Sequence, residues 1–356
     1  MELSKYICQG CKGEMQFDPQ TQSLKCPFCG ATRAIDNASE EIFEFDLAQY
    51  AEIFRNSATY VEVKTVICQN CSGELTIEPD KSNATCIYCG SQVIVDKKAH
   101  QVMDPQYLLP FKLEKQQATE LFRAWIQKRW LAPNTLKKRA TVSAPLVGVY
   151  FPFWTFDAQT ESDYTGEQGI DHIECYQTKD AQGNTVERTK TVTHWHYVSG
   201  AVQLNFDDLL IPGSNALSKQ LTSKLQEWDL KNLLPYRNDY LAGYHGETYT
   251  KELNQSYDEA TRIMKVEIEA AVRRDIGGNH QRIHQVNTKF SDVTFKYVLL
   301  PIWILVYKHK QEYYKVLING RTGELEGERP YSVIKIICLS LIVIALVIWL
   351  YLRYNR

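Results

Sequence analysis

Apolar residues along this chain fall into three kinds of pattern, and each predicts a different element. The densest lies near the C-terminus, where Ile336 to Leu352 gives 17 residues without a charge, nearly all Ile, Leu, Val, Ala or Trp. Val333 and Ile334 extend the run across Lys335. At 1.5 Å per residue the uncharged part reaches about 26 Å, and with the preceding turn it matches a hydrocarbon core of roughly 30 Å. A buried core helix would want a polar face and something after it to pack against, whereas only Arg353 to Arg356 follow. The pattern predicts one membrane span, with Lys335 snorkelling to one headgroup layer and Trp349, Tyr351 and Tyr354 at the far interface.

Helical spacing recurs twice in the body. Leu113 to Leu131 places Ala118, Leu121, Phe122, Trp125 and Ile126 at helical intervals, and Ala132-Pro133 ends it. Lys251 to Ile276 sets Leu253, Tyr257, Ala260, Met264, Ile268, Ala271 and Val272 on one face, and Gly277-Gly278 stops it. Between them the chain is strand-rich from Ala144 to about Ile211, with the aromatic run Val149 to Trp154, a turn at Gln182-Gly183-Asn184 and an alternating stretch from Val186 to Val198. Two closing strands, Thr294 to Tyr307 and Tyr313 to Ile318, flank the loop Lys308 to Glu312, and Asn319-Gly320 with Thr322-Gly323 turns into a last short strand. With 44% apolar residues and 21 tyrosines, the chain outside the span is large enough for one sizeable core.

The N-terminal hundred residues are organised by cysteine instead. Cys8-x2-Cys11-x14-Cys26-x2-Cys29 recurs sixty residues later as Cys68-x2-Cys71-x14-Cys86-x2-Cys89. The copies agree elsewhere too, at Ile7 and Ile67, Gln9 and Gln69, Gly13 and Gly73, Glu14 and Glu74, Pro19 and Pro79, Gly30 and Gly90, and Asp36 and Asp96. Each CxxC pair can offer two thiolates from one tight turn, and two such turns complete a tetrahedral shell, so the spacing predicts two zinc ions, one per copy. Gly30 and Gly90 stand where such a knuckle needs a positive φ. A unit of under roughly 40 residues cannot bury enough apolar surface alone, so metal must supply much of its folding energy. A disulfide framework would need an oxidising compartment, yet Met1 to Lys5 begins no signal peptide and Cys175 and Cys338 are left over.

The fold class that results is two small zinc ribbons plus a mixed α+β domain and one C-terminal transmembrane helix. By residue, ribbon 1 covers 1–36, an acidic tether with a short amphipathic segment 37–61, ribbon 2 62–98, the α+β domain 99–331, the span 332–352 and a short extracytoplasmic tail 353–356. In the tether, Ile42, Phe43, Phe45, Leu47, Tyr50, Ile53 and Phe54 suggest a short apolar-faced helix that docks on a partner or packs on its own ribbons. Lys315, Arg321, Arg329 and Lys335 precede the span against Arg353 and Arg356 beyond it, which favours the N-terminal side as cytoplasmic. The thiolate sites need the same reducing side. The expectation is a tail-anchored, single-pass protein of the cell membrane with its bulk in the cytoplasm.

Charge bears on the partner. The chain balances 40 basic against 42 acidic side chains; residues 1–36 carry four of each sign, and 62–98 carry four basic and five acidic. Nucleic-acid affinity rests on neutralising phosphates, which needs a basic footprint the ribbons lack. A protein-docking role is favoured, with a membrane-tethered nucleic-acid binder as the alternative. One basic-aromatic cluster, Lys128, Arg129, Lys137, Lys138 and Arg139 beside Trp125 and Trp130, suits lipid headgroups, although a solvated helix end has the same composition.

Catalysis finds little footing. His172 and Cys175 could form a base and nucleophile, but in a loop-like stretch without a third orienting group. His194 and His196 share a strand face and could join His172 on a metal, although such histidines are commonly ordinary strand residues. His280 and His284 follow a helix stop and lack reliable helical geometry. There is no phosphate-binding glycine loop, HExxH or nucleophile elbow. No enzyme is expected.

The two cysteine sets, the segments Leu299-Leu300-Pro301-Ile302-Trp303 and Tyr314 to Glu324, and Gly327-Glu328-Arg329-Pro330-Tyr331-Ser332 leading into the span together resemble a group of bacterial membrane-anchored double zinc-ribbon proteins, the YdjG-like group. The resemblance covers essentially the whole chain. Members are often labelled as transcription-factor-IIB-type zinc-ribbon proteins or as primosomal replication factor Y; the second label would require the phosphate-binding loop this chain lacks. The resemblance implies a non-enzymatic membrane anchor for envelope-stress proteins, namely an SPFH-domain (flotillin-like) protein and, through it, a phage-shock-protein-A-like coat protein.

Overall fold

A computed structural model describes residues 6–36, 41–49, 60–71, 73–77, 83–95, 100–134, 146–179, 181, 183–217, 219–222, 224–225, 227–310 and 312–354. The first ribbon is a three-stranded antiparallel sheet of β1 (Gln16–Asp18), β2 (Ser23–Lys25) and β3 (Thr32–Ala34), with the Asp18-Pro19 signal at its first turn. The tether supplies β4 (Phe45–Asp46). In the second ribbon β5 (Tyr60–Ile67) pairs with β6 (Glu74–Ile77), and β7 (Asn83–Thr85) with β8 (Gln92–Ile94), while β9 (His100–Met103) returns along the start of β5.

The body is built on one sheet. In chain order its elements are β10 (Tyr107–Leu108), helix α1 (Lys115–Lys128), β11 (Leu146–Lys179), β12 (Thr185–Pro212), β13 (Leu234–Pro235), β14 (His245–Gly246), helix α2 (Leu253–Ile276), β15 (His280–His309), β16 (Glu312–Asn319) and β17 (Leu325–Gly327), followed by helix α3 (Val333–Tyr354). β11 lies between β12 and β15, antiparallel to both. The far edge of β15 is covered from Thr294 onward by β4, β10 and β16 in turn, which gives backbone N–H and C=O groups partners along that half of the strand.

Alternation along the central strands explains where the core sits. Tyr150, Trp154 and Phe156 on β11, with Tyr297, Leu299 and Trp303 on β15, turn to one face; Val149, Phe151 and Phe153, with Val298, Leu300 and Ile302, turn to the other. Both faces are covered, which is why the aromatic run reads as continuously apolar. Ribbon 1 lies on the first face through Met15, Phe17 and Leu24, beside Ala118, Phe122 and Ile126 of α1. Ribbon 2 lies on the second through Leu75, Ile77 and Tyr88, beside Leu217, Leu221 and Leu225. The two copies of one duplicated unit thus sandwich a single sheet. Phe17 meets Tyr240 edge-on at 5.2 Å, and its N–H donates to the Ala242 carbonyl at 2.8 Å. Burying a side chain of that size stabilises the docking by about 2 kcal/mol, and Phe17→Ala would cost about 3 kcal/mol.

Several sequence expectations change here. The closing strand runs from His280 rather than Thr294. Its first half is polar and alternates only weakly, because Ile283, Val286 and Phe290 are covered on a single face by Ile268, Val272 and Ile276 of α2. The tether's described part forms no helix: Phe45 and Asp46 pair with Phe295 and Thr294, filling a stretch of β15 edge, and Phe45 sits 6.1 Å from the Phe295 ring. Tyr50, Ile53 and Phe54 lie outside the described residues. Both ribbons are docked on the sheet.

α3 is 22 residues long, with a mean hydropathy of 3.0 over its most apolar window and none of that window buried; it is long and apolar enough to cross a membrane. Lys335, expected to reach for headgroups, turns back instead. Its ammonium donates to the carbonyls of Trp130 and Ala132 and to Asn134 Oδ1 at 2.8–2.9 Å, all in the segment that follows α1.

Candidate metal centres

The ribbon hairpins bring all eight predicted ligands together as two groups of four, Cys8, Cys11, Cys26 and Cys29, and Cys68, Cys71, Cys86 and Cys89, with the sulfurs of each group within 4.8 Å of one another. Cys8 and Cys29 are 3.5 Å apart, Cys11 and Cys26 3.3 Å, and in the second ribbon both cross pairs stand at 3.7 Å. Sulfurs at about 2.3 Å from a tetrahedral ion lie about 3.8 Å from each other, whereas a disulfide brings them to about 2.0 Å. The spacing fits a four-thiolate metal site and no cross-link.

Each knuckle turns for a stated reason. Gly30 and Gly90 both take φ +75° at the close of their second CxxC turn, where a side chain would be strained. The N–H groups of Gly10 and Cys11 point at the Cys8 sulfur, and those of Phe28 and Cys29 at Cys26; in ribbon 2 Asn70 and Cys71 serve Cys68, and Tyr88 and Cys89 serve Cys86. Such donors stabilise thiolate. The Cys29 N–H leads the contributions that bring Cys26 down to about 6, and the Cys71 thiol, donating to Cys86, brings that residue down to about 5. The proton's holder is pushed up correspondingly: Cys71 is well above the usual thiol range, and Cys11, although drawn down by the Gly13 N–H, is raised to about 12 by sharing with Cys26. Metal entry therefore displaces protons from these holders.

The two centres differ in access and in what surrounds them. In ribbon 1 Cys11 and Cys29 are exposed; in ribbon 2 Cys71 is buried and Cys89 half-buried. The same repeat position carries Phe28 in the first knuckle and Tyr88 in the second, each lying where a Cβ on Gly13 or Gly73 would collide with it. Tyr88 is 3% exposed, and its hydroxyl lies 3.4 Å from Glu247; Phe28 is 77% exposed. Glu247 itself is enclosed between ribbon 2 and β11, accepting from the Thr76 N–H at 2.8 Å. Burial pushes its carboxyl up to about 8, and Glu74 nearby adds to the rise. Neither the docking role of Tyr88 nor Glu247 was read from the sequence, although the Phe28–Tyr88 pairing was visible at the repeat offset of sixty.

Of the basic cluster, Lys128 ends α1 and is exposed, and the Arg129 guanidinium lies 5.1 Å over the Trp125 ring. Lys137, Lys138 and Arg139 lie outside the described residues. His172 and Cys175 sit within strand β11, not in a loop, on an exposed arm, with the His172 and His194 rings 4.8 Å apart. His280 opens β15 and bonds Asp171 at 3.1 Å. Among the described residues these histidines form no third group of metal-ligand geometry.

The chain is similar to YdjG, an uncharacterized protein of Bacillus subtilis (strain 168). The two are 27% identical over 335 residues, which covers 93% of this chain and 91% of the relative. No protein-family model matches the chain, and no solved structure matches it.

Proposed function

We propose that this chain is a non-enzymatic scaffold, held at a membrane by α3 with its body on the cytoplasmic side, that recruits a protein partner through a zinc-loaded first ribbon. The observation that carries the reading is the unequal fate of one repeat position. In ribbon 2 the knuckle aromatic, Tyr88, is consumed by docking onto the sheet, whereas its counterpart Phe28 faces solvent at 77% exposure. Both ribbons dock on the sheet, but only the second uses its knuckle aromatic to do so, which leaves the same position free on the first. Zinc is the ion proposed for both centres, on the four-thiolate set and its spacing.

Charge supports a protein over nucleic acid as partner. Lys25 pairs with Asp18 at 3.3 Å and Arg33 with Asp239 at 3.4 Å, so two basic side chains of ribbon 1 are already matched by carboxylates. The partner class implied by resemblance, an SPFH-domain protein with a phage-shock-protein-A-like coat protein behind it, is the first candidate. The test is affinity isolation of the full-length protein from its own membranes, with and without nuclease, beside a variant carrying Ser at Cys8 and Cys11. Partners that survive nuclease and are lost with the cysteines support a recruiting scaffold. Nucleic acid in the eluate, with proteins lost on nuclease, supports the membrane-tethered nucleic-acid binder instead.

A further inference from the structure

Between the end of α1 and the β16–β17 hairpin lies a pocket of about 510 Å³ that no role assigned above explains. Two guanidinium groups line it. Arg129 lies over the Trp125 ring at 5.1 Å and Arg329 over the Tyr331 ring at 5.2 Å. An aromatic face fixes the plane of a guanidinium but leaves its N–H edge, the part that grips oxygen, available. Neither arginine has a carboxylate partner among the described residues, and Arg129 Nε is buried with no hydrogen-bond partner. With Nε enclosed, the donors open to a ligand are the terminal N–H groups of the two guanidiniums, whose charge an oxyanion would match.

The carboxylates on the same wall are already engaged. Glu326 faces Lys224 at 3.8 Å, and Glu328 accepts the Lys315 N–H at 3.2 Å. The pocket also stands at the level where the apolar helix begins. Arg329 and Tyr331 lie just before Val333, and the α1 end is fastened to that helix by the Ser332 N–H to the Leu131 carbonyl at 2.8 Å and by Lys335 to the Trp130 carbonyl at 2.8 Å. Trp130 at 58% exposure and Tyr331 at 54% are the aromatic types that settle at a headgroup layer.

We propose that this pocket binds the phosphate of a phospholipid headgroup, with Arg129 and Arg329 as its two donors. The proposal rests on the reading that α3 enters a membrane, and it is independent of what ribbon 1 recruits. Forked N–H groups from two arginines match the oxygens of a phosphodiester, and the acyl chains would leave along α3.

The test is native mass spectrometry of the full-length protein in maltoside micelles, titrated with dioleoylphosphatidylglycerol. The wild-type chain is expected to retain one lipid, Arg129→Gln/Arg329→Gln to retain it at least 10-fold less, and Lys265→Gln on α2, outside the pocket's lining, to retain it unchanged. Equal retention by the double variant, or an equal loss with Lys265→Gln, overturns the pocket. Glycerol 3-phosphate should compete only at far higher concentration; competition at matched concentration makes the ligand a soluble phosphate ester and overturns the lipid assignment. A phosphatidylglycerol carrying a headgroup diazirine should label wild-type peptides spanning 125–129 and 329–331, and labelling elsewhere alone counts against the site whatever the variant does. Carbonate extraction of membranes tests the span separately: a chain that resists extraction yet fails the lipid assays loses the pocket and keeps the anchor.

Discussion

The ammonium of Lys335 donates to the carbonyl oxygen of Ala132 at 2.9 Å, so the first turn of the apolar helix is fastened to the end of α1. With the Trp130 carbonyl and Asn134 Oδ1 as further acceptors, one side chain ties together three oxygens of the segment that follows α1. The consequence is mechanical. α3, long and apolar enough to cross a membrane, is bolted to the body whose sheet carries both ribbons; under the proposed function, a partner bound to the body would be held at a set distance from the membrane.

Removing that bolt should loosen the junction without unfolding the body. A charge-assisted hydrogen bond contributes about 2 kcal/mol. Lys335→Met is expected to speed amide exchange over residues 126–134 by roughly 30-fold, with exchange in β11 and β15 unchanged. Exchange measured on the full-length protein in micelles checks this; a rate at the junction equal to wild type would show that Lys335 holds nothing.

The two metal centres should empty at different rates. Cys11 and Cys29 are exposed, whereas Cys71 is buried and Cys89 half-buried, so a chelator reaches the first ion more easily. Metal release followed with a colorimetric chelator should be biphasic, the fast phase at least 10-fold faster and abolished by Cys8→Ser. A single phase would mean that access does not govern release.

Glu247 gives ribbon 2 a pH dependence whose sign can be worked out. Its folded pKa, about 8, lies above the ordinary carboxylate value because of burial. As pH rises between those two values the unfolded chain loses the proton first, so stability falls across that window and levels off above about 8. Melting the zinc-loaded protein from pH 6.5 to 8.5, where the thiolates hold metal, should show declining stability, worth a few kcal/mol in all. Glu247→Gln, which keeps the amide within reach of Tyr88 and Thr76, should flatten the profile and raise the high-pH melting temperature. A wild-type profile that rises with pH would contradict it.

What the sequence disclosed and what it hid divide along physical lines. The two four-cysteine groups were legible because a four-thiolate shell imposes its spacing on residues three apart, and the apolar helix because its signal is a single unbroken run. Strand β15 before Thr294 was hidden, since His280 to Val293 lies mostly against solvent and its apolar contact with α2 is made by the widely spaced Ile283, Val286 and Phe290. The strand at Phe45–Asp46 was hidden because two residues filling an open edge carry no period. The docking of both ribbons was hidden for a different reason. Phe17 with Tyr240, and Tyr88 with Glu247, are contacts between positions far apart in the chain, set by the sheet that lies between them.

The central claim is that the first ribbon's knuckle is an open docking position while the second is closed. The most direct measurement replaces Phe28, and in a parallel chain Tyr88, with the photocrosslinking residue benzoylphenylalanine and irradiates intact membranes. The account predicts a discrete cross-linked protein at position 28 that persists after nuclease treatment, and at position 88 only an internal cross-link to the segment around Glu247. A position 28 that links solely to its own chain, or a position 88 that captures the same external protein, would contradict it.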